Sequence, residues 1–190
     1  INGQRFDIDV NQKLFFIFFS PAGNIEWFKN IDGAAGSNAS KINEIICDGN
    51  EFYLTGNIPG ILEFGNNVAL NRKHRPPFFF AKYNGEGICQ WAKDNYSEGS
   101  CGGTRIFMDS RKNIYIGGYY RGDTYFDGLD TLRNDREDLD NFLVKYDKDL
   151  NPLWHLRLSG NGTQPIFSII TDEDGNVYCG GNFYQELIFP

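Results

Sequence analysis

No run of apolar residues in this 190-residue chain approaches the eighteen or so that a membrane-spanning helix needs. The longest, around Leu14 to Phe19, has the length of a strand. Basic residues are outnumbered, 18 against 25 acidic, for a formal net charge of −7, and they form no stripe. Binding nucleic acid requires phosphate-neutralising charge, so that class is excluded. Histidine is scarce: His74 lies in a basic loop, RKHRPP, and His155 follows a tryptophan. Neither has a Ser or Cys nucleophile motif beside it, so no histidine-based catalytic set is expected. Cys47, Cys89, Cys101 and Cys179 show neither CxxC spacing nor a histidine at zinc spacing. Cys47, Cys89 and Cys179 sit in strand-like runs and are expected to be buried free thiols. If a disulfide forms, Cys89 and Cys101 are the pair nearest in sequence. The segment INGQRFDID has no basic n-region and no apolar h-region, so it does not read as a secretory leader, although a mature secreted chain would look the same.

What is abundant is aromatic and glycine: 17 Phe, 10 Tyr, 3 Trp and 22 Gly. Aromatic side chains favour pleated, half-buried surfaces, and glycine marks turns. The expected class is all-β.

One stretch occurs three times. LFFIFFSPAGNIEW (Leu14 to Trp27), FFFAKYNGEGICQW (Phe78 to Trp91) and NFLVKYDKDLNPLW (Asn141 to Trp154) align without a gap, so the tryptophans lie 64 and 63 residues apart. Tyr53, Tyr115 and Tyr178, Gly56, Gly118 and Gly181, and Phe64, Phe126 and Phe189 each recur at 62 and 63. Such a period, carried by short strands and turns, signals a repeat architecture. Between copies come two short strands, about Glu44 to Cys47 and Phe52 to Gly56, joined at Asp48-Gly49-Asn50. The short run ILEFG follows them, and both features return in KNIYIGGYY with TYFDG and in GNVYCGGNF with ELIFP. Strand alternation puts Phe15, Phe79 and Phe142 on one face and Phe16, Phe80 and Leu143 on the other. Strands apolar on both faces need cover on both, which sheets stacked side by side supply. The repeated glycine is expected to admit a neighbouring backbone or to mark a bulge.

The combination DEDGNVYCGG (Asp172 to Gly181) with FLVKYDKDLNPLW (Phe142 to Trp154), and NIYIGG, YFDG and FFAKY in the middle unit, resembles the bacterial SBBP-type β-propeller repeat. The resemblance implies a propeller of four-stranded antiparallel blades and an extracytoplasmic, secreted or cell-surface location. The first copy departs from the pattern, with Phe18 where the others have Lys82 and Lys145. The expected units are 1–41 (the second half of a blade), 42–103, 104–166 and 167–190 (the first half of a blade), three repeats of about 63 residues with one blade split. Three blades fall below the usual four to eight. The remaining blades are therefore expected from the rest of a longer chain or from a second copy.

Asp172-Glu173-Asp174-Gly175-Asn176 starts like a calcium loop but lacks its distal Glu, so a hairpin turn is the reading. Asp135, Glu137, Asp138 and Asp140, interleaved with Arg133 and Arg136, read as a solvated loop. Asn38-Ala39-Ser40, Asn95-Tyr96-Ser97 and Asn161-Gly162-Thr163 satisfy the N-glycosylation sequon. Lys82 and Lys145 are expected at a blade rim, stems packed and ammonium groups in water. No catalytic, metal or cofactor residue is assigned, and the binding residues are left open. The functional expectation is a non-catalytic scaffold or recognition module for a protein or surface glycan. A glycan-acting enzyme and a structural cell-surface component are the alternatives. An enzyme would need non-repeated polar residues to converge on the face or axis of the ring.

Overall fold

The computed structural model describes residues 14–33, 41–57, 60–71, 78–134 and 138–189. Their strands run β1 (Leu14–Phe19), β2 (Ile25–Gly33), β3 (Lys41–Asp48), β4 (Glu51–Asn57), β5 (Ile61–Gly65) and β6 (Val68–Asn71). There follow β7 (Phe78–Asn84), β8 (Cys89–Asp94), β9 (Tyr96–Ser97), β10 (Cys101–Met108) and β11 (Ile114–Tyr120). The last are β12 (Thr124–Tyr125), β13 (Asp140–Tyr146), β14 (Pro152–Leu158), β15 (Ile166–Thr171) and β16 (Val177–Gly181). The described residues are thus all-β, and none forms a helix long and apolar enough to cross a membrane.

Two complete four-stranded sheets have the orders β3-β4-β7-β8 and β10-β11-β13-β14. The hairpin β15-β16 forms a two-stranded sheet, and β1-β2 joins β5-β6. No closed ring forms among the described residues. The three hairpins that end on tryptophan share one register: Phe18 pairs with Trp27, Lys82 with Trp91 and Lys145 with Trp154, each followed at once by a register shift.

Local chemistry sets the turns. Gly49 has φ +59°, a conformation glycine adopts without steric cost, and leaves two residues between β3 and β4. Asn66 and Asn67, both at positive φ, join β5 to β6 as a type I′ turn requires. Asp109, Asp147 and Asp172 each accept from the backbone amide four residues on, and from that asparagine's side-chain amide. The Asp172 segment is therefore a hairpin turn in which the Asp172 carboxylate is taken up locally.

Three apolar cores lie between successive sheets. The first joins Phe16 of β1 to Phe52, Leu54, Phe79 and Tyr83. The second joins Phe78 and Phe80 to Ile106, Ile116, Phe142 and Tyr146. The third joins Tyr115 and Leu143 to Ile166 and Ile169. Phe78, Phe79 and Phe80 are all fully buried, because β7 is covered on both faces. Each such ring is worth about 1.5–3 kcal/mol relative to exposure. At Gly56 and Gly118 an added Cβ would strike the carbonyls of Lys41 and Gly102 and the rings of Phe79 and Phe142. Close backbone approach, rather than a bulge at the glycine itself, is what these positions serve.

The short runs after β4, β11 and β16 have a role that sequence patterning left blank. Each pairs back onto the tail of the outer strand of the preceding sheet. Asp32 pairs with Glu63, Tyr96 with Tyr125, and Ser159 bridges to Ile188. β2 runs on past Trp27, paired with β1 as far as Ile31 and with β5 at Asp32 and Gly33.

Candidate recognition site

Just past the end of β8, the middle latch shapes an open cleft of about 260 Å³. Its wall includes Lys93, Asp94, Asn95, Tyr96, Tyr125 and Asp127. The chain leaves β8 at Asn95 and re-enters pairing at β9, so Tyr96 lies directly opposite Tyr125, with ring centroids 5.3 Å apart. Beneath them the buried hydroxyls of Ser97 and Thr124 bond at 2.9 Å and hold the two segments in register. Tyr96 is half exposed. The Tyr125 hydroxyl donates to Glu98 at 3.0 Å, and that bond holds the phenol above its ordinary pKa, so it stays a donor.

Asn95 is buried in the wall. Its amide nitrogen faces the carbonyl of Tyr96 and the sulfur of Cys101, and its amide oxygen has no hydrogen-bond partner among the described residues. The Lys93 ammonium donates to the carbonyl of Leu150 at 2.6 Å and lies 6.0 Å from the Tyr146 ring. The ammonium is thereby committed to the fold, while Asp94 and Asp127 add two acidic residues to the lining. Two phenol rings beside carboxylates suit a cation: the ring faces attract it and the oxygens accept its hydrogen bonds. The cleft has the means to bind such a group. Among the described residues that line it, no nucleophile is paired with a base.

The residues singled out by sequence are dispersed. His155 sets Nε2 2.6 Å from the carbonyl of Asp130 and its ring 5.7 Å from Phe126, a packing role. His74, Asn38, Asp135, Arg136 and Glu137 lie outside the described residues. Asp140 is not part of a solvated loop. It opens β13, is fully buried, and its Oδ2 takes two bonds from the Arg157 guanidinium at 2.8 and 2.9 Å. A charge run in sequence does not reveal that one of its members faces an arginine on the neighbouring strand. Lys82 sits 2.7 Å from Glu51 and 5.6 Å from the Tyr53 ring, and Lys145 sits 5.1 Å from the Tyr115 ring. Burial works against the Lys82 charge, but Glu51 and Tyr53 carry its pKa above the ordinary value.

All four cysteines are free. Cys89 and Cys101 are buried in different cores, so they do not pair. Burial pushes their thiols up, to about 11 and about 12. Cys47 and Cys179 are exposed, contrary to the expectation of burial. Cys47 lies on an edge strand, and among the described residues no third strand lies beside β16. Asn95 is buried, so its sequon is closed in the folded chain, whereas Asn161 is exposed.

Polar residues do meet on the inner strands, which neighbour one another in the order β3, β10, β15. Glu44 accepts from the amide of Ile106 at 2.5 Å and lies 4.0 Å from Arg105, which in turn donates to the carbonyl of Phe167 at 2.6 Å. These groups satisfy each other across sheets.

No family model matches the chain. Over 116 residues, 58% of this chain, it is 31% identical to an uncharacterized WD repeat-containing protein, L264, of Acanthamoeba polyphaga mimivirus. The match spans 8% of that protein's length. This similarity points to β-propeller-type repeats and does not single out the bacterial SBBP type.

The sequence reading missed the cleft. Asp32 and Ser159 occupy the positions equivalent to Tyr96, and Glu63 and Ile188 those equivalent to Tyr125. An aromatic pair present in only one copy was the available signal.

Proposed function

We propose that the chain is a non-catalytic scaffold of β-propeller-type repeats, and that the Tyr96–Tyr125 cleft recognises a basic side chain of a protein partner. The observation that carries this reading is the pair itself. At the one latch where both opposed residues are aromatic, the neighbouring wall is acidic and its lysine is engaged elsewhere. The sheet pairs support reading 42–103 and 104–166 as whole units, with 1–41 and 167–190 as complementary halves. The extracytoplasmic location implied by the SBBP-type resemblance is part of the proposal, as is the provision of further blades by a longer chain or a second copy.

Calorimetric titration with a tri-arginine peptide tests the recognition reading. Saturable binding is expected, weakened at least about tenfold by Tyr96→Ala with Asp127→Asn, a loss of about 1.4 kcal/mol. Binding of neutral oligosaccharides but not of the peptide would turn the reading to a glycan. Turnover of such a sugar would restore the enzyme.

A further inference from the structure

Asn95 stands where the other two latches carry an apolar side chain. Asp32, Tyr96 and Ser159 are equivalent in the three latches, so Ile31 and Leu158 are the counterparts of Asn95. Ile31 is fully buried and Leu158 packs against the third core. Asn95 is only 5% exposed, yet its amide oxygen has no hydrogen-bond partner among the described residues. Its amide nitrogen makes only long contacts, 3.5 Å to the carbonyl of Tyr96 and 3.7 Å to the sulfur of Cys101. A buried amide oxygen left unmet destabilises a fold, and an apolar side chain at the same place does not. The latch thus gains little from this amide, and it forms without one in both neighbouring junctions.

Tyr146 departs from its counterpart in the same sense. Tyr83 donates to the carbonyl of Phe64 at 3.3 Å. At the equivalent place the Phe126 carbonyl accepts from the amide of Leu129 instead, and Tyr146 borders the cleft. Burial, the Cys101 thiol and the carboxylates of Asp127 and Asp94 push the Tyr146 phenol up, so it stays protonated at neutral pH. Along one wall of about 260 Å³ the cleft therefore combines a buried amide acceptor, a protonated phenol and the rings of Tyr96 and Tyr125.

We propose that the cleft takes arginine in preference to lysine, and that Asn95 sets the preference by accepting a hydrogen bond from the guanidinium. A guanidinium is planar, so it lays one face on an aromatic ring while its five N–H groups point outward in its own plane. One of them meets the Asn95 oxygen while the others remain for the acidic residues and for water. The group is also weakly hydrated and gives up little on entering a buried wall. An ammonium is a compact, strongly hydrated charge, which loses more water to reach the same oxygen. Asn95 is in this sense a specificity-determining residue, and the amide that the fold does not need is the one the ligand uses.

The inference rests on the recognition reading of the cleft proposed above. Calorimetric titrations with tri-arginine and tri-lysine, run side by side on the same chain, test it. Tri-arginine is expected to bind at least about tenfold more tightly than tri-lysine, the scale of one hydrogen bond to a charged group. Asn95→Leu, which restores the apolar residue of the other latches, is expected to fold with a thermal midpoint at or above that of the parent. In that variant the ratio of the two affinities is expected to fall to about twofold. If Asn95→Leu does not fold, Asn95→Ala carries the same comparison. A purely structural role for Asn95 would lower stability in the variants and leave the ratio unmoved. Equal affinity for the two peptides in the parent chain would overturn the proposal and leave the recognition reading standing. A preference that survives in a folded Asn95 variant would do the same. Binding of neither peptide would overturn the recognition reading, and this inference with it.

Discussion

Tyr96 and Tyr125 sit directly opposite each other in the short latch that ties the tail of β8 to β12, rings 5.3 Å apart. The same latch position holds Asp32 with Glu63 in one neighbouring junction and Ser159 with Ile188 in the other. The backbone device is thus shared, and its side chains differ where an exposed acidic cleft opens.

Arg157→Met is expected to destabilise the chain by about 3–5 kcal/mol, because it leaves the Asp140 carboxylate buried without its guanidinium. The double variant with Asp140→Asn is expected to recover most of that loss. Urea midpoints of the two single variants and the double one, at constant slope, measure it. Equal losses in the single and double variants would assign the effect to packing.

Gly118→Ala tests the close approach of β10 to β11. The new methyl meets the Gly102 carbonyl and the Phe142 ring, neither free to withdraw, and a loss of about 1–3 kcal/mol is expected. At Gly180 the nearest group is the Ser168 hydroxyl at 2.8 Å, which can rotate, so Gly180→Ala is expected to cost less. Thermal melts of the pair give the comparison.

Thiol reactivity should divide two and two. Cys47 and Cys179 are expected to react with an aromatic disulfide reagent near pH 8 in the folded chain, Cys179 the more slowly because burial raises its thiol pKa. Cys89 and Cys101, buried and held at pKa values of about 11 and about 12, are expected to react only after unfolding. Fast reaction of three or four thiols in the folded chain would contradict the core assignment.

Asp109 makes stability depend on pH. Burial alone would raise its pKa, but hydrogen bonds from Asn113, Tyr115 and the Arg111 amide outweigh burial and hold it below the ordinary 3.8. A carboxylate depressed in the folded state contributes stability that is fully present above its unfolded value. That contribution is lost as pH falls through the lower folded value. Asp109→Asn is therefore expected to flatten the acid limb of stability below about pH 4 and to leave the slope above it unchanged. Denaturation midpoints taken from about pH 2 to pH 6 decide this.

The recurring Trp27, Trp91 and Trp154 made the equivalence of the three hairpins legible in advance, because periodic aromatic and glycine positions are local patterns read directly from the chain. So was the turn at Asp172, whose chemistry is complete within five residues. The latches were not legible. Asp32 finds Glu63 across thirty-one residues through two backbone pairs, and no side-chain period encodes such a bridge. Burial of Asp140 depends on Arg157 in the same way. The exposure of Cys179 escaped a reading that knew its strand but not whether a third strand lay beside it. Leu54 and Ile116, at its equivalent positions, are fully buried. The cleft combined both difficulties, since it needs a long-range pairing and a residue pair that breaks the repeat.

The most direct test of the recognition reading is a residue-resolved amide spectrum of the ¹⁵N-labelled chain titrated with tri-arginine. The expected result is saturable shifts centred on Asn95, Tyr96, Tyr125 and Asp127, abolished by Tyr96→Ala with Asp127→Asn, while the inner strands around Glu44 and Arg105 stay unmoved. Shifts centred on Glu44 and Arg105 instead, or none up to millimolar peptide, would contradict a recognition site at the Tyr96–Tyr125 latch.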